Sequence, residues 1–332
     1  MRFATIRHNG STVAAVLDGD TVHPFPAGTT VLELVRAGLA AALAAGAQAV
    51  STARPVPVAD VTFHAPLQPP TIRDFVTFEE HVEGVRSSVQ DQAGVPDAWY
   101  AAPHFYFTNP YSVTGPDARI IPPADCAALD FELEVAVVVG KAGTDLTVEE
   151  AAGHIFGYTV LNDWSARDLQ KREMQVGLGP AKGKDFANTL GPVLVTANEF
   201  ADFHDEDGFL TLACTAQVNG VEVGADVLSN MGWSFPALLA YASRNTRIEP
   251  GDVLGSGTVG NGGCLAEQWG RRGRQDPPPL HPGDIVTLLV EGIGTLTNTI
   301  GTPAAPAPIL PAPRRRDHAA ERARHLAAVD RA

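Results

Sequence analysis

Glu132 and Glu134 stand two residues apart in DFELEVAVVVG, and this spacing is the first in the chain that could do chemistry. Side chains two apart on a strand share a face, so both carboxylates point the same way. The following Ala136, Val137, Val138 and Val139 imply that both faces become buried. Two like charges on a buried face destabilise each other unless a cation or basic partners neutralise them. A bare Glu-Leu-Glu is more often the solvent face of an edge strand, so other carboxylates must decide. Asp163, in VLNDWSARDLQ, follows an apolar strand pattern at the start of a short helix, where functional groups commonly project from a scaffold. Asp74, in TIRDFVTFEEH, opens a helical pattern. Either aspartate alone would serve as a helix N-cap. As a set, the four are oxygen donors that suit Mg²⁺, Mn²⁺ or Ca²⁺ rather than zinc.

The elements that must position them are mostly strands. FATIRH and TVAAVLDGDTVHP read as a small β unit with turns at Asn9-Gly10 and Asp18-Gly19. TTVLELVRAGLAAALAAG has helical spacing and is expected to form one amphipathic helix. Prolines at 55, 57, 66, 69 and 70 then mark a connection, which places a boundary near residue 65. Beyond it, DFELEVAVVVG, HIFGYTVLND, GPVLVTANE, LTLACTAQVNG, GDVLGSG and GDIVTLLVEGIGTLTNTI all read as strands. Few long helical patterns separate them, so a mixed or mostly antiparallel α+β assembly with short inserted helices fits better than a doubly wound sheet. The organisation expected is a small N-terminal β/α domain over 1–65, a catalytic domain over 66–302, and a Pro/Ala-rich linker with a polar helical tail over 303–332.

Composition narrows the function. A net charge of −14, with Lys and Arg clustered only at 314–316, disfavours a nucleic-acid partner. No apolar run has the length of a membrane span, and MRFATIRHNG lacks a signal core, so a soluble cytoplasmic protein is expected. The three cysteines, at 126, 214 and 264, follow neither a disulfide nor a zinc-cluster pattern and read as ordinary thiols. GSGTVG at 255–260 is followed by NGG rather than a helix, so it makes a poor dinucleotide fingerprint. DEDG at 205–208 lacks the flanking ligands of an EF-hand, with Phe203 and Cys214 in their places. There is no GxSxG and no HExxH.

RDFVTFEEH, FELEVAVVVG, HIFGYTVLNDWSARDLQKRE, GPAKGKDF and GDVLGSGTV together resemble the fumarylacetoacetate hydrolase family, over roughly residues 70–300. The resemblance implies a β-rich fold built around a twisted β-roll. It also implies a homodimer, a divalent metal (Mg²⁺ foremost, with Mn²⁺ or Ca²⁺ as alternatives) on Asp74, Glu132, Glu134 and Asp163, and a small carboxylate substrate. His81 then matches the general base; seven residues after Asp74, it is expected about two helical turns along on nearly the same face. Glu267 matches the acid that orients this histidine. Lys184 matches a residue that stabilises the departing enolate. Arg167, Gln170 and Thr258 match substrate contacts, while Met174 stands where fumarylacetoacetate hydrolases proper have an aromatic contact. The activity implied is hydrolysis of a C–C bond in a β-diketo acid, with water activated by His81. VEGIGTLTNTIG resembles the shorter members that act on other 2-oxo acids, so lyase, decarboxylase, dehydratase or isomerase chemistry is the alternative, and a catalytically retired binding protein is a third.

Overall fold

A computed structural model describes residues 1–305, 311 and 318–329. The chain opens with three antiparallel strands, β1 (Arg2–His8), β2 (Ser11–Asp18) and β3 (Thr21–Pro24). The single helix expected next is two, α1 (Val31–Ala37) and α2 (Leu39–Thr52). They break at Gly38, whose φ of 89° lies outside helical geometry and favours glycine. Thr30 and Glu33 close a capping box that fixes where α1 begins.

Then come β4 (Ile72–Phe75), α3 (Glu79–Gln90), β5 (Phe105–Thr108), β6 (Leu133–Val139), β7 (Ile155–Asp163), α4 (Arg167–Met174) and β8 (Asn188–Thr196). The chain continues through β9 (Ala213–Val218), β10 (Val221–Val227), β11 (Val253–Gly255), α5 (Leu265–Arg272), β12 (Ile285–Val290) and β13 (Gly294–Ile300). A final helix, α6 (Ala319–Val329), falls within the tail; the expected linker before it lies largely outside the described residues.

A twelve-stranded sheet runs in the order β3-β2-β1-β8-β7-β6-β11-β4-β5, with shorter strands at its margins, and a five-stranded sheet includes β10-β9-β12-β13. The main path is antiparallel except between β11 and β4. This is the α+β, strand-dominated assembly that the alternating patterns implied. β6 and β7 are buried along their whole length, since each is central in a sheet covered on both faces. On one face of β6, Val135, Val137 and Val139 join a large core that includes Ala216, Val286 and Leu288 of the second sheet. On the other, Ala136 and Val138 pack with Val31, Val35 and Ala42 of α1 and α2. The first 65 residues therefore share both a sheet, through the β1–β8 pairing, and a core with the rest. Among the described residues no helix is long and apolar enough to cross a membrane.

Candidate active site

Register brings the carboxylates together. Glu134 pairs across from Leu161, Ala136 from Gly255, Gly255 from Asp74, and Asp74 from Tyr106. Directly paired residues share a face, and so do residues two apart. Asp74, Glu134 and Asp163 therefore project from one side of four neighbouring strands. Glu132 precedes β6 and is fixed there, its backbone N–H donating to Asn162 Oδ1 and its carbonyl accepting from the Asp163 N–H. One oxygen from each of the four lies within 4.8 Å of the others, and all four residues are buried. Gly255 leaves the space they fill: a Cβ there would stand 2.6 Å from Glu134 Oε2 and 2.7 Å from Asp74 Oδ1. The buried β6 rules out the solvated edge-strand reading of Glu132 and Glu134.

Asp74 is a strand residue, not the start of a helix; α3 begins only at Glu79. The two-turn helical relation between Asp74 and His81 thus does not exist, and His81 reaches the site because α3 turns back across it after β4. Its Nε2 is 3.6 Å from Glu132 Oε1.

Electrostatics divide the site in two. Burial, then the neighbouring Glu134, pushes the Asp74 carboxyl well above the usual range, and burial also pushes Glu134 well above it. Asp163 is raised likewise by burial, against the pull of Lys184. Burial opposes ionisation of Glu132 too, but Arg167, Lys184 and His81 outweigh it and hold this carboxyl well below the ordinary value. Lys184 donates to both Glu132 and Asp163. Asp74 Oδ1 and Asp163 Oδ1 remain buried without a hydrogen-bond partner. An all-oxygen donor set with orphaned, mutually repelling carboxylates in a space kept open by a glycine fits a hard divalent cation.

The substrate-side residues line one cavity of about 250 Å³, bounded by Asp74, His81, Glu132, Glu134, Arg167, Gln170, Lys184 and Thr258, with Val76, Val85, Phe105, Met174 and Pro180 on its apolar side. Burial lowers the His81 imidazole to about 3, which keeps the ring neutral. The expected His81–Glu267 link is not formed: Cys264 Sγ lies 3.5 Å from His81 Nδ1, and Glu267 Oε1 pairs with Arg271 Nη2 at 2.8 Å. Arg167, expected to hold substrate oxygens, is committed to protein groups. Its Nε donates to Asp130 Oδ2, its Nη2 to Glu132 Oε1 and its Nη1 to Gln170 Oε1.

Sequence reasoning missed three contributors. Asp130 anchors Arg167, and only its place two residues before Glu132 signalled it. Tyr106 donates to Asp163 Oδ2 at 2.6 Å. Cys264 faces His81 from the N-cap of α5 and had read as an ordinary thiol.

Comparison with known proteins agrees with this geometry. Residues 71–301 match the model of the fumarylacetoacetate (FAA) hydrolase C-terminal domain. The chain is 31% identical over 245 residues, 74% of each chain, to oxaloacetate tautomerase YisK of Bacillus subtilis. It superposes on fumarylacetoacetate hydrolase from Exiguobacterium antarcticum with a TM-score of 0.71, at 26% identity over 91% of this chain and 99% of that one. The corresponding values for 5-carboxymethyl-2-hydroxymuconate delta-isomerase from Mycobacterium smegmatis are 0.66, 26%, 92% and 100%. With its strand order, its buried carboxylate cluster and a match over most of its length, the chain belongs to the fumarylacetoacetate hydrolase family.

Proposed function

We propose that the protein performs divalent-metal-dependent enolate chemistry on a small 2-oxo carboxylic acid, with keto–enol tautomerisation as the net reaction. The observation that carries this reading is the pair of orphaned oxygens, Asp74 Oδ1 and Asp163 Oδ1, in a buried carboxylate cluster that opens on a cavity with a neutral histidine. The likeness to a tautomerase and to an isomerase supports the net reaction.

Asp74, Glu132, Glu134 and Asp163 would hold the cation. When bound, such an ion supplies Lewis acidity that favours the enolate form of a 2-oxo acid. His81 accepts a proton from the carbon beside the substrate carbonyl and delivers it to the enolate oxygen, the reverse transfer regenerating the ketone, a task that its neutral ring and cavity-facing position allow. Lys184 presents an ammonium where negative charge develops on oxygen. Arg167 keeps Glu132 oriented from behind.

Hydrolysis of a C–C bond in a β-diketo acid is the second reading, and the position of Glu267 favours it. A Cβ at Gly84, three residues beyond His81, would lie 2.6 Å from Glu267 Cγ. Glu267 is thus packed against α3, the helix that carries His81, and a carboxylate paired with that imidazole would raise its basicity towards water. The test is a panel of oxaloacetate, acylpyruvates and fumarylacetoacetate with Mg²⁺, Mn²⁺ and Ca²⁺, run on wild type, His81→Ala and Glu267→Gln. The leading reading expects tautomerase activity that needs His81 and survives Glu267→Gln; cleavage lost in both variants establishes the hydrolase. Failure to process any 2-oxo acid under every metal sinks both and leaves a binding protein.

A further inference from the structure

We propose that His81, Cys264 and Glu132 form a second cation site, suited to a thiophilic divalent ion such as Zn²⁺ or Co²⁺ and sharing Glu132 with the four-carboxylate cluster. One ligand atom from each residue lies within 4.8 Å of the other two, and all three residues are buried. Cys264 Sγ and His81 Nδ1 are 3.5 Å apart. A tetrahedral ion with bonds of about 2.3 Å to sulfur and about 2.0–2.1 Å to nitrogen separates two such ligands by about 3.5 Å, so this edge is already set.

The backbone holds the geometry. His81 lies in the first turn of α3 and Cys264 caps α5. These helices meet at glycines: a Cβ at Gly270 would stand 1.9 Å from the Gly84 carbonyl oxygen. Such an approach leaves the two ligands little freedom to separate. Glu132, pinned at its backbone by Asn162, rests with Oε1 3.6 Å from the other ring nitrogen, Nε2, so its side chain turns towards Nδ1 to complete the site. His81 and Glu132 line the active-site cavity, which gives an ion its way in.

Donor chemistry distinguishes the two sites. The carboxylate cluster offers only oxygen, whereas this one offers sulfur, nitrogen and oxygen, and softer ions sort to the latter. Coordination displaces the thiol proton to solvent, since the thiolate is the ligand. Cys126 and Cys214 belong to no such group among the described residues. An ion here occupies the imidazole that the proposed reaction uses, so Zn²⁺ would inhibit an enzyme whose carboxylate cluster already holds Mg²⁺.

Titration of the chelator-treated full-length protein with Co²⁺, followed by absorption, tests this without relying on turnover. Wild type is expected to develop a near-ultraviolet sulfur-to-cobalt charge-transfer band with a second equivalent of Co²⁺. Cys264→Ser and His81→Ala should lose it, and Asp74→Asn, which touches only the carboxylate cluster, should keep it. Melting curves of each variant separate loss of the site from loss of the fold, and either of the first two suffices if the other does not fold. No band in wild type, a band that persists without Cys264 or without His81, or a band lost in Asp74→Asn overturns the proposal.

Discussion

The carboxylate of Asp130 binds Arg167 at Nε (2.9 Å) and Nη2 (2.8 Å) and also accepts the backbone N–H groups of Leu265 and Ala266 at 2.8 and 3.0 Å. One fully buried side chain thus ties the helix behind Glu132 to the N-terminus of the helix that carries Glu267. Replacing it by alanine takes this acceptor from the Nε of a buried guanidinium and from three amides, those of Phe131, Leu265 and Ala266. Asp130→Ala should cost about 3–5 kcal/mol in chemical denaturation, the range for breaking a buried ion pair from one side. Asp130→Asn, which keeps the shape and some of the acceptors, should cost less. Equal losses in the two variants would show that the charge carries the whole effect and that shape and neutral acceptors contribute nothing.

Cation binding should stabilise the folded state by mass action. At a free ion concentration of 100 Kd the gain is about 2.7 kcal/mol. Glu134→Gln and Asp163→Asn should abolish most of this gain, and chelation should return wild type to its cation-free melting temperature. Thermal melts of wild type with and without Mg²⁺, Mn²⁺ or Ca²⁺ give the answer. An unchanged melting temperature with all three ions would contradict the assignment of the cluster.

Gly255→Ala should separate cation affinity from overall stability. The added methyl meets the oxygens of Glu134 and Asp74 at under 3 Å, so both carboxylates must turn away. Calorimetric titration should then show at least a tenfold weaker cation, about 1.4 kcal/mol, in a protein that still melts cooperatively. Wild-type affinity in Gly255→Ala would mean that the cation binds elsewhere.

Glu267 should leave a mark on the pH dependence of stability. Burial, opposed by Arg271, raises its carboxyl to about 7 from an ordinary value of 4.5. The folded state therefore holds this proton where the unfolded chain has released it. The resulting stabilisation is complete below pH 4.5 and fades as pH rises through 7. Glu267→Gln mimics the protonated form, so its stability relative to wild type should climb between pH 4.5 and 7 and then level off. A difference that stays flat across this range would refute the shift.

The period-two spacing of Glu132 and Glu134 was readable because a strand imposes it, and the valines after them announced burial. Asp163 was legible from the apolar strand pattern before it, although it is the last residue of β7 and not the start of the helix, which begins at Arg167. Asp74 was singled out as a candidate ligand but assigned to the wrong element. RDFVTFEEH has helical spacing, yet β5 pairs with Ile72–Phe75 and β11 with Ile72–Asp74, and a β11 partner 181 residues away is invisible to a local pattern. The break at Gly38 was similarly hidden, because alanines on both sides favour helix and only the φ of the glycine separates the halves. Asp130 continued the period that exposed the glutamates and was still missed. Its partners are an arginine 37 residues on and amides 135 and 136 residues on, which no spacing rule reaches. Cys264 carries no signal in sequence at all; its nearness to His81 exists only once α3 and α5 pack.

The parallel pairing of β11 with β4 also sets an order of events. It joins Ile72–Asp74 to Val253–Gly255, so the floor of the carboxylate cluster is made by segments far apart in the chain. During synthesis Asp74, Glu132, Glu134 and Asp163 all emerge before the strand that spaces them does. A nascent chain ending short of Val253 carries all four carboxylates and lacks the glycine that spaces them. A cation held by the four carboxylates would thereby report that the long-range topology has closed, rather than guide it as an early step.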